Sequence, residues 1–240
     1  MTADPRDSDP ISPALERLQP DIKVLNGGVS GLEMLLIKAE GLEDERVQRT
    51  VPYLGLVWLY STAMRDLLHA KREDGRILWN APALAVLCRA LQDAFLSLYY
   101  FSIESPAPDE AQFRTMLLAR HQAFKRWDLL RRSDPSNPEI AQELDQSKRD
   151  YDEVNHFLIE HPFVAQLPSN VAADIRGKPE RFIADPLHEV WERAGMPREL
   201  YDVTFRYLSQ YTHATPYAVS SLRFHQADHE DGAVNMTVNM

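Results

Sequence analysis

The chain of 240 residues holds a single cysteine, Cys88. No disulfide can form within it, which fits a reducing cytoplasm. Cys88 lies in an apolar run and reads as a small buried hydrophobe rather than a nucleophile. Uninterrupted apolar stretches of membrane-spanning length are missing too. The longest run, 81–101, is broken by Arg89 and Asp93, so no membrane span is expected. The first ten residues, MTADPRDSDP, are polar and acidic and lack an apolar core, so no secretory signal is expected. The chain also lacks a P-loop, a Gly-x-Gly-x-x-Gly turn, a Gly-x-Ser-x-Gly elbow and zinc-type cysteine spacing. There is no internal repeat and no low-complexity tract.

Metal-ligating patterns are sparse. A di-iron bundle needs glutamates on two helices and two Glu-x-x-His pairs. This chain has one such pair, Glu153-x-x-His156, on a polar helix, and its most apolar helix carries no glutamate. His188 with Glu189, and His225, Asp228, His229 and Glu230, are scattered or terminal. No metal and no cofactor are therefore expected.

Hydrophobic residues make up 44% of the chain, enough for a substantial core, and the length fits one large domain. The net charge of −10 argues against a surface built throughout to coat nucleic acid or an anionic membrane. It leaves room for a local basic patch.

Apolar periodicity is helical almost everywhere. Residues 1–12 read as a disordered lead. Ser12-Pro13 offers an N-cap followed by a first-turn proline. Ile22, Leu25, Val29, Leu32 and Leu36 mark a helix that Gly27-Gly28 is expected to break or kink. A helix over 43–71 follows, with Pro52 as its start or a kink. The run 81–101 is apolar all round and is expected to be central and buried. Helices over 110–132 and 139–160 flank the break at 133–138, and the second is expected to lie outermost. Prolines dominate 162–186, an irregular connection with one short helix at 171–175. A helix at 187–194 closed by Gly195 precedes the last main helix, 198–215, opened by Pro197. Pro216 introduces a kink, and 225–240 is either a short edge strand or a frayed terminus. The expected fold is an all-α bundle of about six to eight helices, with 13–224 as one helical domain.

Two polar stripes interrupt apolar faces. On 81–101, Arg89, Asp93, Ser97 and Tyr100 fall on one face at steps of four, four and three. An arginine in so apolar a helix needs a partner, and Asp93 is the local one. On the last helix Asp202, Arg206, Ser209 or Gln210, and His213 form the second stripe. Arg206 and His213 are seven residues apart, which leaves roughly 20° of angular drift and about 10 Å of rise. A guanidinium and an imidazole so placed could hold a phosphate or move a proton. His213 near a helix C-terminus sits where the dipole favours positive charge, and it could equally cap a freed carbonyl. The 110–132 helix carries Arg114, Arg120, Lys125, Arg126, Arg131 and Arg132 against one interior acid, Asp128. Those bases either serve RNA or pair with the acidic 139–160 helix, and the pairing is the favoured expectation. Trp127 reads as core.

The segments Cys88-Arg89-Ala-Leu-Gln-Asp93, Gly177-Lys-Pro-Glu180, Trp191-Glu-Arg193 and Tyr201 with Tyr207-Leu-Ser-Gln-Tyr-Thr-His213 carry a resemblance. Over roughly 50–222 the chain resembles a widespread prokaryotic all-helical family of unknown function. There an Arg with an acid four positions on marks an inner helix, and a Tyr, a Ser and a His mark the last. Arg89, Asp93, Tyr201, Ser209 and His213 match that pattern. More loosely, Arg206-x6-His213 is similar to the late-helix motif of the HEPN superfamily, although Tyr207 replaces the polar residue that usually follows the Arg. That resemblance implies metal-independent RNA cleavage across a dimer interface. It casts Arg206 as the group stabilising a pentacoordinate phosphate and His213 as acid or base. The expected function is thus a cytoplasmic, homodimeric HEPN-like ribonuclease or RNA-binding domain of toxin or defence type. Arg206, His213 and Ser209 would be catalytic, with Arg89, Asp93, Tyr201 and Gln210 binding. The alternative is a non-catalytic helical interaction module in which both stripes are structural.

Overall fold

The computed structural model describes residues 12–39, 42, 45–69, 81–133 and 136–213. The expected lead, the Pro216 kink and the 225–240 tail lie outside them, the lead except for Ser12. Among the described residues there are eight α-helices and no strand, so the chain is all-α as its periodicity indicates. Their contacts divide the chain into two compact units, Met1–Leu98 with Gly195–Met240, and Tyr99–Ala194.

The first unit holds α1 (Ser12–Ala39), α2 (Glu45–His69), α3 (Ala81–Leu98) and α8 (Arg198–Thr212). Helix α2 packs on α1 and α3, and α3 packs on α8. The seam between α2 and α3 buries Val57, Ala94 and Leu98, with Leu32 of α1 and Tyr53, Leu54, Tyr60 and Leu91 around them. Ala85, Leu208 and Tyr211 join α3 to α8, with Cys88 and Tyr207 alongside. Cys88 reaches the Met64 sulfur at 3.9 Å, and burial pushes its thiol pKa up, as suits an apolar space-filler.

Two expectations are corrected here. Helix α1 runs unbroken through Pro20 and Gly27-Gly28, and α2 begins at Glu45 and continues through Pro52. A glycine costs a helix interior about 1 kcal/mol. The seam of Ile22, Val29 and Leu32 against α2 outweighs that penalty, since tertiary packing supplies most helix stability.

Pro82–Ile103 is long and apolar enough to cross a membrane by length and composition. Its helical part, α3, nevertheless carries Arg89 and Asp93 and packs between α2 and α8, as the core helix of a helical unit does. It ends in a π-helical turn, Tyr99–Ile103.

The second unit is built on the hairpin of α4 (Pro108–Leu130) and α5 (Pro138–Glu160). Its core gathers Phe113, Leu117, Leu158, Val164, Ala172, Ile175 and Ala184. Each long helix starts on a proline, whose missing N–H is one the first turn could not bond anyway. Asp109 and Glu110 complement the dipole at the start of α4. Asn137 caps α5, its side-chain oxygen accepting from the Glu139 amide at 2.9 Å. Asn137→Ala should cost about 1 kcal/mol, read as a shift of the urea midpoint, with Asn137→Asp close to neutral. An alanine variant as stable as wild type would show that the cap is not used.

The proline-rich connection holds a 3₁₀ turn (Pro162–Gln166) and α6 (Ser169–Gly177), and α7 (Leu187–Arg193) follows it where a helix at 187–194 is expected. Helix α6 is longer than the expected 171–175. Gly195 follows α7 at φ 82°, a left-handed backbone that favours glycine.

Candidate functional site

Helix α8 is strongly amphipathic. Tyr201, Leu208 and Tyr211 are buried, while Val203, Arg206, Thr212 and His213 are exposed. The two polar stripes meet along α3 and α8, but their members do not share one role.

Arg89 is held tightly. It forms an ion pair with Asp93, and its guanidinium lies 3.9 Å from the centre of the Phe205 ring. Phe205 in turn stacks on Tyr201 at 4.9 Å. The Arg89 side chain is only 13% exposed, so its charge is spent inside this stack. Burial pushes the Tyr201 hydroxyl above its ordinary pKa, Arg89 opposes this, and the phenol stays protonated at neutral pH. Arg89, Asp93 and Tyr201, all expected to bind, form a clamp between two helices. Ser97 donates to the Asp93 carbonyl at 2.9 Å.

The α8 polar residues divide as follows. Ser209 donates its hydroxyl proton to the Phe205 carbonyl at 2.6 Å, so as placed it can accept a hydrogen bond but has no proton to offer. The Gln210 amide reaches the Arg206 carbonyl at 3.4 Å. Asp202, which could have neutralised Arg206, pairs instead with Arg198 at 3.3 Å. Arg206 and His213 are both exposed, and among the described residues neither side chain has a hydrogen bond or ion pair. His213 occupies the C-cap, its backbone N–H donating to the Ser209 carbonyl at 3.1 Å. The cap is therefore made by its backbone, and the imidazole is not used for it.

No protein-family model, curated protein or solved structure matches the chain. Among the described residues no three His, Cys, Asp or Glu side chains cluster as a metal site would require.

The bases of α4 divide among several partners. Among the described residues only Arg126 forms an ion pair with the acidic α5, through Glu143, while Arg120 reaches Asn155 of α5 at 3.5 Å. Arg131 and Arg132 close on Asp128 of their own helix. Arg114 and Arg120 are buried. The favoured pairing of α4 with α5 thus holds for one base. Trp127 stacks on Tyr151 at 5.6 Å, as expected of a packing residue.

Arg120 has no exposed surface. It donates to the carbonyls of Ile175, Lys178 (3.2 Å) and Arg181 (3.3 Å), binding the end of α6 and the turn after it. Its neighbour His121 donates from Nδ1 to the Glu180 carbonyl at 2.5 Å, which leaves the lone pair on Nε2. Burial pushes the His121 pKa down, so the ring is neutral at pH 7. In the same unit Glu104 bridges Arg114 (2.6 Å) and Arg193 (2.7 Å), and the Arg114 guanidinium covers the Tyr100 ring at 3.8 Å. One signal for Arg120 was present in the sequence. It stands seven residues after Phe113 and three after Leu117, on the apolar face of its helix.

Proposed function

We propose that the Arg206–His213 face of α8 binds a phosphate of RNA, and that the protein is a HEPN-like metal-independent ribonuclease or RNA-binding domain. One observation carries the reading. A guanidinium and an imidazole one heptad apart stand exposed and, among the described residues, unpaired, while the carboxylates near them are taken by Arg89 and Arg198. Asp128 and Glu143 occupy three of the α4 bases, and two more are buried, so α8 supports phosphate contact better than α4 does.

In the cleavage step His213, as base, takes the 2′-hydroxyl proton. O2′ bonds to phosphorus, the P–O5′ bond breaks, and the departing O5′ takes a proton from water. Arg206 neutralises the charge that builds on the phosphoryl oxygens. Tyr201 and Arg89 act only by fixing the slope of α8 on α3.

The test is cleavage of a fluorescent RNA by purified protein in EDTA, with circular dichroism on every variant. His213→Ala should lose about 100-fold or more in rate while keeping its fold, since the residue is exposed. Arg206→Ala should weaken RNA binding and reduce its salt slope by about one. Equal product from wild type and His213→Ala would remove the catalytic role. No RNA binding by the wild type would favour the second reading, a helical interaction module, for which the closed Arg89–Asp93–Phe205 cluster already supplies a purely structural stripe.

A further inference from the structure

Helix α1 has two apolar faces, and the described residues cover one of them. Ile22 and Val29 are buried, Leu32 packs on the α2–α3 seam, and α1 packs against α2. On the other side Val24 is 75% exposed and Met34 and Leu35 are each 54% exposed. Between them lie Gly27 and Gly31, both exposed, and a Cβ built on either would meet nothing within 4 Å. Each glycine costs the helix about 1 kcal/mol relative to alanine, and no contact among the described residues accounts for it. Paired glycines one turn apart let a second helix approach closely enough for backbone and side chains to interlock.

We propose that this face is occupied by α1 of a second copy, running antiparallel about a two-fold axis level with Val29. About that point the valine–methionine and glycine–glycine positions of the face match, while Leu35 falls opposite Lys23, whose stem can lie along it. Reversal places Val24 opposite Met34 and Gly27 opposite Gly31, which is the reciprocity an isologous dimer requires. It also brings Lys38 of each copy within one residue of Asp21 of the other. Both are exposed, and neither has a salt-bridge partner among the described residues. Two symmetric Asp21–Lys38 pairs result, and the antiparallel dipoles add to them. A parallel pairing would instead set lysine against lysine. A single helix pair is a small interface, so the dimer is reversible rather than obligate. The proposal concerns α1 and stands independently of the reading of Arg206 and His213.

Sedimentation equilibrium of the full chain over a wide concentration range tests it. Wild type should show a monomer–dimer equilibrium. Gly27→Gln with Gly31→Gln should raise the dimer Kd about tenfold or more, equivalent to about 1.4 kcal/mol, without lowering Tm, because glutamine favours an exposed helix. Asp21→Lys alone should also weaken the dimer, and Asp21→Lys with Lys38→Asp should restore it. A wild type that stays monomeric throughout, or a glutamine variant that dimerises like wild type, overturns the proposal. If the charge-swapped double variant dimerises no better than Asp21→Lys, the antiparallel register is wrong.

Discussion

Arg120→Met should destabilise the second unit by about 3–6 kcal/mol, the largest loss expected of any single substitution here. Methionine fills most of the volume of the arginine stem, so cavity formation is a minor part of the loss. The cost lies mainly in the buried Ile175 carbonyl and the half-buried Arg181 carbonyl, which lose this donor, whereas the Lys178 carbonyl keeps the Arg181 backbone N–H at 3.1 Å. Each buried acceptor left bare costs about 1–3 kcal/mol. Arg120→Lys should recover only part of this, because an ammonium cannot reproduce the planar fork that spans α6 and its following turn. Urea denaturation gives the magnitude, and amide exchange across 175–184 gives the location. A methionine variant with an unchanged midpoint would mean that the three carbonyls do not depend on Arg120.

The same segment shows how an irregular connection is held without secondary structure. Arg181 takes over where Arg120 stops. It donates to the carbonyls of Ile183 (3.0 Å) and Ala184 and pairs with Asp174 at 2.7 Å. Two guanidinium groups thus satisfy carbonyls that a strand or helix would otherwise have bonded.

Glu104→Gln should cost about 3 kcal/mol at pH 7. The glutamine keeps the shape of the side chain but removes the charge shared by Arg114 and Arg193. Arg114, 5% exposed, retains Glu110, and Arg193 retains Asp185 at 2.5 Å, which limits the damage. Burial alone would raise the Glu104 pKa. Hydrogen bonds from Arg193 and Arg114 outweigh it and hold the carboxyl below its ordinary range. The unfolded chain therefore binds the proton first as pH falls. Stability from Glu104 is complete above the ordinary glutamate pKa of about 4.3 and is lost as pH drops through the lower folded value. The glutamine variant should lack that part of the acid slope. Urea midpoints of both proteins between neutral and acid pH decide the matter, and parallel slopes would show that Glu104 titrates as a free carboxylate.

Much of the architecture was legible locally. Pro108, Pro138 and Pro197 open helices, and Gly195 closes one, because a missing N–H and a left-handed φ have few other uses. The polar α5 buries only Ser147 and Leu158, as its thin apolar stripe indicates. Where local rules misled, packing had overruled them. Gly27-Gly28 could read as a break and Pro52 as a helix start, yet each lies inside a continuous helix with a face to bury. The α4 bases read as one surface feature, yet they divide among the core, their own helix and α5, since burial depends on which face meets Phe113 and Leu117.

The candidate site shows the same division. Spacing by itself puts Arg206 and His213 on one face of a helix, because 3.6 residues per turn nearly divides seven. Spacing also pairs Arg89 with Asp93. It cannot say which arginine is spent, because that depends on what lies across from each. Phe205, on α8, covers Arg89, and Arg198 claims Asp202 before Arg206 can. The sequence by itself determined the helices, their main boundaries and the residues able to share a face, all consequences of backbone geometry within a few turns. Only the tertiary structure decided which charges are neutralised, which are buried and which remain free to meet a ligand, because those outcomes depend on groups far apart in the chain.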